Sequence, residues 1–154
     1  MCKLTPAAAV WCFKPFAALT TTELYGLLAL RSEVFVVEQH CVFQDLDGTD
    51  CQAMHLLGHI NGRLVAYARC FAAGVKYPEA AIGRVICRAD QRALGLGHQL
   101  MRQALAYMAK DWGAQPVRIG AQTRLARFYC AHGFVPTGAA YVEDGIDHIE
   151  MLRP

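Results

Sequence analysis

The chain has 154 residues, of which 55% are hydrophobic and 18% charged, with 13 glycines and a formal net charge of +2. That is the size and balance of one globular domain with its own core, so it is not expected to be disordered or to need a disulfide or metal staple. The charge is too balanced for a chain whose main partner is nucleic acid or an anionic membrane, and no apolar run approaches the ~20 residues of a spanning helix.

In chain order, Val10 to Phe16 reads as a first strand. The apolar stretch Ala7 to Phe13 follows a single Lys and runs into Lys14-Pro15 without a small-residue cleavage site, so it is not expected to be a secretory signal. Thr20-Thr21-Thr22-Glu23 offers capping chemistry to Leu24, Leu27, Leu28, Arg31 and Phe35 at helical spacing, which predicts a helix over about 21–36. Residues 38–53 lack periodicity and are expected as an exposed loop or short irregular helix. Asn61-Gly62 between two apolar runs predicts a tight hairpin. Ala80 to Cys87 reads as another strand, followed by a helix with Leu96, Leu100, Ala104 and Met108 four residues apart, ending near Trp112-Gly113. A strand at Pro116 to Gly120 completes a strand–helix–strand unit whose two strands should be parallel. A helix over about 123–132 stopped by Gly133, a strand from Phe134, and an Asp144-Gly145 turn into Ile146 to Leu152 close the chain. No repeat or Pro/Gly/Ser linker divides it, so residues 1–154 are taken as one domain with a mixed α/β (α+β) sheet and helices on its faces.

Seven cysteines (Cys2, Cys12, Cys41, Cys51, Cys70, Cys87, Cys130) form an odd, scattered set, which argues against a disulfide framework and for a reducing cytoplasm. Asp45-x-Asp47-Gly48-x-Asp50 is similar to a calcium loop, but Asp50 and Leu56 stand where Gly and Glu are needed. His40-Cys41 with Cys51-x-x-x-His55 matches no common zinc spacing, and no metal is expected.

Arg92-Ala93-Leu94-Gly95-Leu96-Gly97-His98 lies between a predicted strand and a predicted helix, where unpaired backbone amides and the positive end of the helix dipole favour an anion. A dinucleotide fingerprint fails because Leu100 stands where the third glycine belongs, and a phosphate-binding Gly-Lys-Ser/Thr loop is absent. The stretch resembles instead the Gln/Arg-x-x-Gly-x-Gly/Ala acyl-CoA signature of the GCN5-related N-acetyltransferase (GNAT) superfamily, with Arg92, Gly95 and Gly97 in its three positions. Leu125 to Phe134 is similar to that family's late motif, although Gln122 stands where many members carry Asn. Leu30 to Gln39 and Glu143 to Ile149 resemble its ElaA-like branch.

The resemblance implies a mostly antiparallel sheet with a splayed parallel strand pair that wedges acetyl-CoA as co-substrate. Val85, Ile86 and Cys87 would offer backbone groups to the pantetheine arm, and the amides of Ala93, Leu94, Gly95, Leu96, Gly97 and His98 would hold the pyrophosphate. Arg92, Gln122, Phe128 and Tyr129 complete the expected donor site. Arg84 and Arg88 either add charge against the phosphates or are ordinary solvated arginines. Tyr129 either donates a proton to the leaving thiolate or packs its helix on the sheet. Candidate bases for the amine, by analogy, are Glu38, His55 and His148, against ordinary capping or backbone-bonding roles. The acidic loops at 45–50 and 143–147 would draw in a cationic amine.

The activity implied is acetyl transfer from acetyl-CoA to a primary amine of a small molecule or peptide by direct attack in a ternary complex. A strand N–H near Ile86 or Cys87 would polarise the carbonyl. The alternatives are a non-catalytic acyl-CoA-binding module and acyl-homoserine-lactone synthesis. Expected partners are acetyl-CoA and the amine acceptor, with no nucleic acid or membrane, and a homodimer is compatible with the chain.

Overall fold

The computed structural model describes residues 7–154; Cys2 lies outside them. The first strand, β1 (Val10–Pro15), leads to Thr20, whose hydroxyl accepts from the Glu23 amide at 3.1 Å while the Glu23 carboxylate accepts from the Thr20 amide at 2.9 Å. This reciprocal cap starts α1 (Thr21–Arg31), as the Thr20–Glu23 spacing predicts. Beyond Arg31 the chain does not remain α-helical to residue 36. It widens into a π-helical segment, Ser32–Glu38, where β-branched Val34, Val36 and Val37 are poor at holding a regular helix. Residues 39–53 form the expected loop, with one 3-10 turn at Asp50–Gln52.

The hairpin β2 (Met54–Ile60) and β3 (Arg63–Phe71) turns at Asn61 and Gly62, with φ of +50° and +77°, the paired left-handed conformation that a tight turn between twisted strands needs. The predicted strand–helix–strand unit is β4 (Ala80–Cys87), α2 (Leu96–Trp112) and β5 (Val117–Gln122), with a 3-10 segment, Ala89–Leu94, before α2. Helix α3 (Ala126–Cys130) follows one 3-10 turn and is shorter than expected. The strand expected from Phe134 is split into β6 (Val135–Pro136) and β7 (Tyr141–Glu143). Both pair with β8 (Ile146–Arg153), where only Ile149 and Glu150 lie between the partners of Pro136 and Tyr141. Four residues oppose those two, and Pro136 donates no amide, so the ladder breaks there.

The sheet order is β1–β2–β3–β4–β5–β8–β6, with β7 also on β8, and every pairing is antiparallel except β4 with β5. Alternation along the strands sorts their side chains to two faces. Leu56, Ala68, Cys70 and Ile82 pack with Leu96, Leu100, Met101, Ala104 and Met108 of α2, together with Tyr129 and Phe134. Leu57, Tyr67 and Ile86 point the other way, onto Leu27, Leu30 and Val34. Each fully buried side chain of this size contributes about 1.5–3 kcal/mol. Among the described residues, no helix is long and apolar enough to cross a membrane.

The loop at 39–53 is pinned by buried charge. Arg31 and Arg69 are 0% exposed and Asp45 5%. Arg31 donates to Asp45 at 2.8 Å and to Asp50 at 2.7 Å, Arg69 donates to both carboxylate oxygens of Asp47 and to Asp50 at 3.0 Å, and Arg84 donates to Asp45 at 2.7 Å. The Arg69 fork holds the Asp47 carboxyl far below its ordinary range; burial opposes charge on Asp50, but Arg31 and Arg69 outweigh it and keep its pKa low. The expectation that loop 45–50 presents free carboxylates to a cationic amine is therefore corrected: its three aspartates are spent on three arginines. His55, also fully buried, completes the layer, its Nε2 2.8 Å from the Asp50 carbonyl and its Nδ1 2.7 Å from the Tyr67 hydroxyl. Since a carbonyl only accepts, Nε2 carries the proton and Nδ1 accepts from Tyr67.

Two outcomes follow. Gly58 pairs with Trp11, and a Cβ there would lie 2.5 Å from the indole ring, so Gly58→Ala should cost about 1–3 kcal/mol in urea unfolding through overpacking. Burial depresses the pKa of His55 below its ordinary 6.5, so its contribution to stability is fully present above that value and is lost as pH falls through the folded pKa. Unfolding free energy should drop on acidification below about pH 6.5, with a shallower drop in His55→Gln; equal slopes in both proteins would contradict this.

Candidate active site

Parallel pairing between β4 and β5 lasts for two residue pairs, Ala80 with Val117 and Ala81 with Arg118, after which the strands part. A cleft of about 630 Å³ opens between them, lined on β4 by Ala81 through Cys87 and on β5 by Ile119, Gly120 and Gln122. Past Ala81, the β5-facing backbone of β4 has no strand partner, so its polar groups are left to whatever occupies the cleft. Residues of the π-helical segment, the 39–47 loop and the β7–β8 hairpin complete the walls.

At one end stands the N-terminus of α2. Its N-cap is Gly95, with φ of +72°, and no side chain caps it, so the first-turn amides lack partners. A Cβ on Gly97 would lie 3.4 Å from the Phe128 ring, so glycine brings the helix end against α3. An extended thioester arm along unpaired β4 and a pyrophosphate at an uncapped helix start both fit these features. Among the expected donor residues, Val85, Ile86, Cys87, Arg92, Gly97, Gln122, Phe128 and Tyr129 line the cleft. The other five do not line it: Ala93 and Leu94 lie in the 3-10 segment that leads to Gly95, the Leu96 side chain is buried in the core, and His98 turns towards His132, 2.9 Å away.

The three arginines are committed within the protein. Arg84 bonds Asp45, Arg88 bonds the Leu64 carbonyl and Glu33, and Arg92 forks onto Glu38 while its Nε donates to the Cys87 carbonyl at 3.0 Å. Gln122 is equally engaged, donating to Gln39 and accepting from Arg124, each at 3.1 Å, which ties the end of β5 to the residue that follows the π-helical segment.

Tyr129 is 6% exposed on the cleft wall. Its hydroxyl bonds to no described residue and is not sealed from solvent, so it faces the open space. Burial pushes its pKa up to about 12 and that of the neighbouring Cys87 thiol to about 11, keeping both protonated.

The three candidate bases separate by position. His55 lies in the buried layer outside the cleft, both ring nitrogens engaged. Glu38 lines the cleft, but the Arg92 fork holds its carboxyl below the usual range. His148 lines the cleft with Nδ1 2.7 Å from the Ile146 carbonyl, to which it donates, leaving Nε2 with the lone pair. Its ring stacks on Tyr141, and Glu143 is 3.9 Å from Nε2. The aromatic walls, Phe35, Phe43, Tyr77 and Tyr141, were not anticipated, because three of the four lie in segments without strong periodicity. Among the described residues, no group of three or more His, Cys, Asp or Glu side chains is placed to hold a metal ion.

Comparison with known proteins agrees with this geometry. The acetyltransferase (GNAT) domain family matches residues 18–153. Protein ElaA of Escherichia coli is 44% identical over 137 residues, covering 88% of this chain and 90% of that protein. The crystal structure of an acyl-CoA N-acyltransferase from Pseudomonas aeruginosa superposes with a TM-score of 0.91 at 42% identity, covering 96% of this chain and all of that one. The crystal structure of E. coli ElaA gives a TM-score of 0.88 at 41% identity, covering 95% and 99%. The chain belongs to the GNAT acetyltransferase family as an ElaA-like member, and is an acyltransferase.

Proposed function

We propose that the chain transfers the acetyl group of acetyl-CoA to a primary amine of a small molecule or peptide, by direct attack in a ternary complex. Family membership supports the acyl-CoA donor. The observation that carries the catalytic reading is Tyr129: a buried, protonated phenol on the cleft wall whose hydroxyl has no partner among the described residues. A structural tyrosine of this burial ordinarily spends its hydroxyl on a neighbour. Here it is free to donate to the thiolate that departs when an amine attacks a thioester.

On this reading a β4 amide near Ile86 or Cys87 that faces away from β3 holds the thioester and polarises its carbonyl, and the uncapped start of α2, with Gly95 and Gly97, takes the pyrophosphate. His148 takes a proton from the acceptor's ammonium, directly or through water, so that the neutral amine attacks, because it alone of the three candidates combines a place on the cleft with a ring nitrogen that hydrogen-bonds to no described residue. Glu38 and Arg92 act as one ion pair at the cleft wall, and His55 acts on stability. The acceptor enters beside the β7–β8 hairpin, where Glu143 and Asp144 line the cleft.

Acetyl-CoA at about 100 times its Kd should add ~2.7 kcal/mol to the folded state and raise the melting temperature by roughly 5–10 °C, with no rise for NAD or ATP. No rise would remove the donor assignment. With a panel of amines and mass detection of the acetylated product, Tyr129→Phe should lower kcat by about 10²–10⁴-fold while leaving the acetyl-CoA melt shift in place. His148→Gln should likewise lower kcat while preserving that shift. A melt shift without turnover for any amine would favour a binding module.

A further inference from the structure

Strand β4 carries an irregularity at the place where it must present its backbone to the cleft. Gly83 pairs with Arg69 and Ile86 with Tyr67, so β4 spends two residues, Arg84 and Val85, where β3 spends one, Ala68. The excess is absorbed at Arg84, whose φ is +50°. Bulged positions of this hand are ordinarily glycine, because a side chain crowds the backbone there. An arginine that keeps such a conformation has to be held from outside.

Its side chain supplies the hold. Arg84 Nε donates to Asp45 Oδ1 at 2.7 Å and Nη2 to the Asp45 carbonyl at 2.9 Å, with the Asp47 carboxylate 3.7 Å away. The guanidinium lies over Phe35 at 5.7 Å and Phe43 at 5.9 Å. Asp45 is itself held, since its other carboxylate oxygen accepts from the fully buried Arg31 at 2.8 Å. Arg31 thus anchors Asp45, Asp45 anchors Arg84, and Arg84 fixes the bulge immediately before Val85, Ile86 and Cys87.

We infer that Arg84 is a positioning residue: clamped on Asp45, it holds the β4 bulge in the left-handed conformation that directs the Val85–Cys87 backbone into the cleft. This rests on the reading of β4 as the donor-binding strand. The competing role for an arginine on the cleft wall is direct contact with the bound donor. Glycine separates the two, because it adopts positive φ without a side chain to anchor, whereas alanine has neither the anchor nor the freedom.

The test is isothermal titration of acetyl-CoA into the full chain and its Arg84→Ala, Arg84→Gly and Asp45→Asn variants, with amide shifts of residues 83–87 recorded on the free proteins. The inference expects Arg84→Ala to bind about tenfold more weakly, Arg84→Gly to stay within about threefold of the parent, and Asp45→Asn to fall towards the alanine variant. The shifts of Val85–Cys87 should follow the same order. Equal losses for glycine and alanine would assign the side chain to the ligand and overturn the proposal, as would an alanine variant that matches the parent in binding and shifts. Should Arg84→Ala not fold, the glycine variant decides alone, by retaining or losing affinity. If the parent chain itself does not bind acetyl-CoA, the donor-site reading fails, and the shift order of the free proteins still decides whether Arg84 holds the bulge.

Discussion

Two parallel residue pairs, Ala80 with Val117 and Ala81 with Arg118, are all that join the halves of the sheet before β4 and β5 separate. A strand inside a sheet normally satisfies its amides and carbonyls on both sides, and leaving several unpaired in a low-dielectric cleft is costly unless something else bonds them. The structure concentrates that debt in one place. The unpaired run of β4, the uncapped start of α2 and the free hydroxyl of Tyr129 all border the same cavity. A ligand with an extended amide-bearing arm and an anionic end would relieve them together, which is why the donor site is proposed here.

Keeping the strands apart calls for rigidity in what flanks them. On one face α2 and α3 pack an apolar layer against the sheet. On the other, the irregular 39–53 segment leaves Val42 and Leu46 exposed and buries Ala53 in only a small apolar cluster with Phe71 and Ala81. Six charged side chains, three of each sign, secure it instead, and their desolvation is offset by multiple short, charge-assisted bonds at each arginine. The arrangement gives direction as well as attachment, because a forked guanidinium fixes both the distance and the plane of its carboxylate. Arg84 carries that directional hold to the strand that borders the cleft.

The same logic separates the ionisable groups by task. Tyr129 is kept protonated by burial, and its hydroxyl bonds to no described residue, so an O–H remains available on the cleft wall. Glu38 is pulled towards its charged form by Arg92 and so accepts a proton poorly. His148 donates Nδ1 to the Ile146 carbonyl, which in the neutral ring puts the lone pair on Nε2. The two candidate bases on the cleft therefore differ in chemistry because of what each one touches.

Much of this was legible in the sequence, and the limit is instructive. The Thr20–Glu23 cap, the Asn61-Gly62 turn, the four-residue spacing along α2 and the Arg92-x-x-Gly95-x-Gly97 stretch are local patterns, set by interactions between residues a few positions apart, and each appears in the structure. The π-helical widening after Arg31 and the break between β6 and β7 arise from β-branched residues and a proline whose local signals are weaker than the patterns around them. The fates of Asp45, Asp47, Glu38, His55 and Arg84 were not legible at all. Each is decided by a partner 5 to 54 positions away, and a lone charged letter does not say whether its partner is water, a substrate or a buried ion of opposite sign. The main helices and strands, their order and the donor signature rest on short-range periodicity and backbone chemistry and can be read from the chain; which charges hold the cleft and which groups stay available in it depends on long-range pairing and burial, and is settled in the folded molecule.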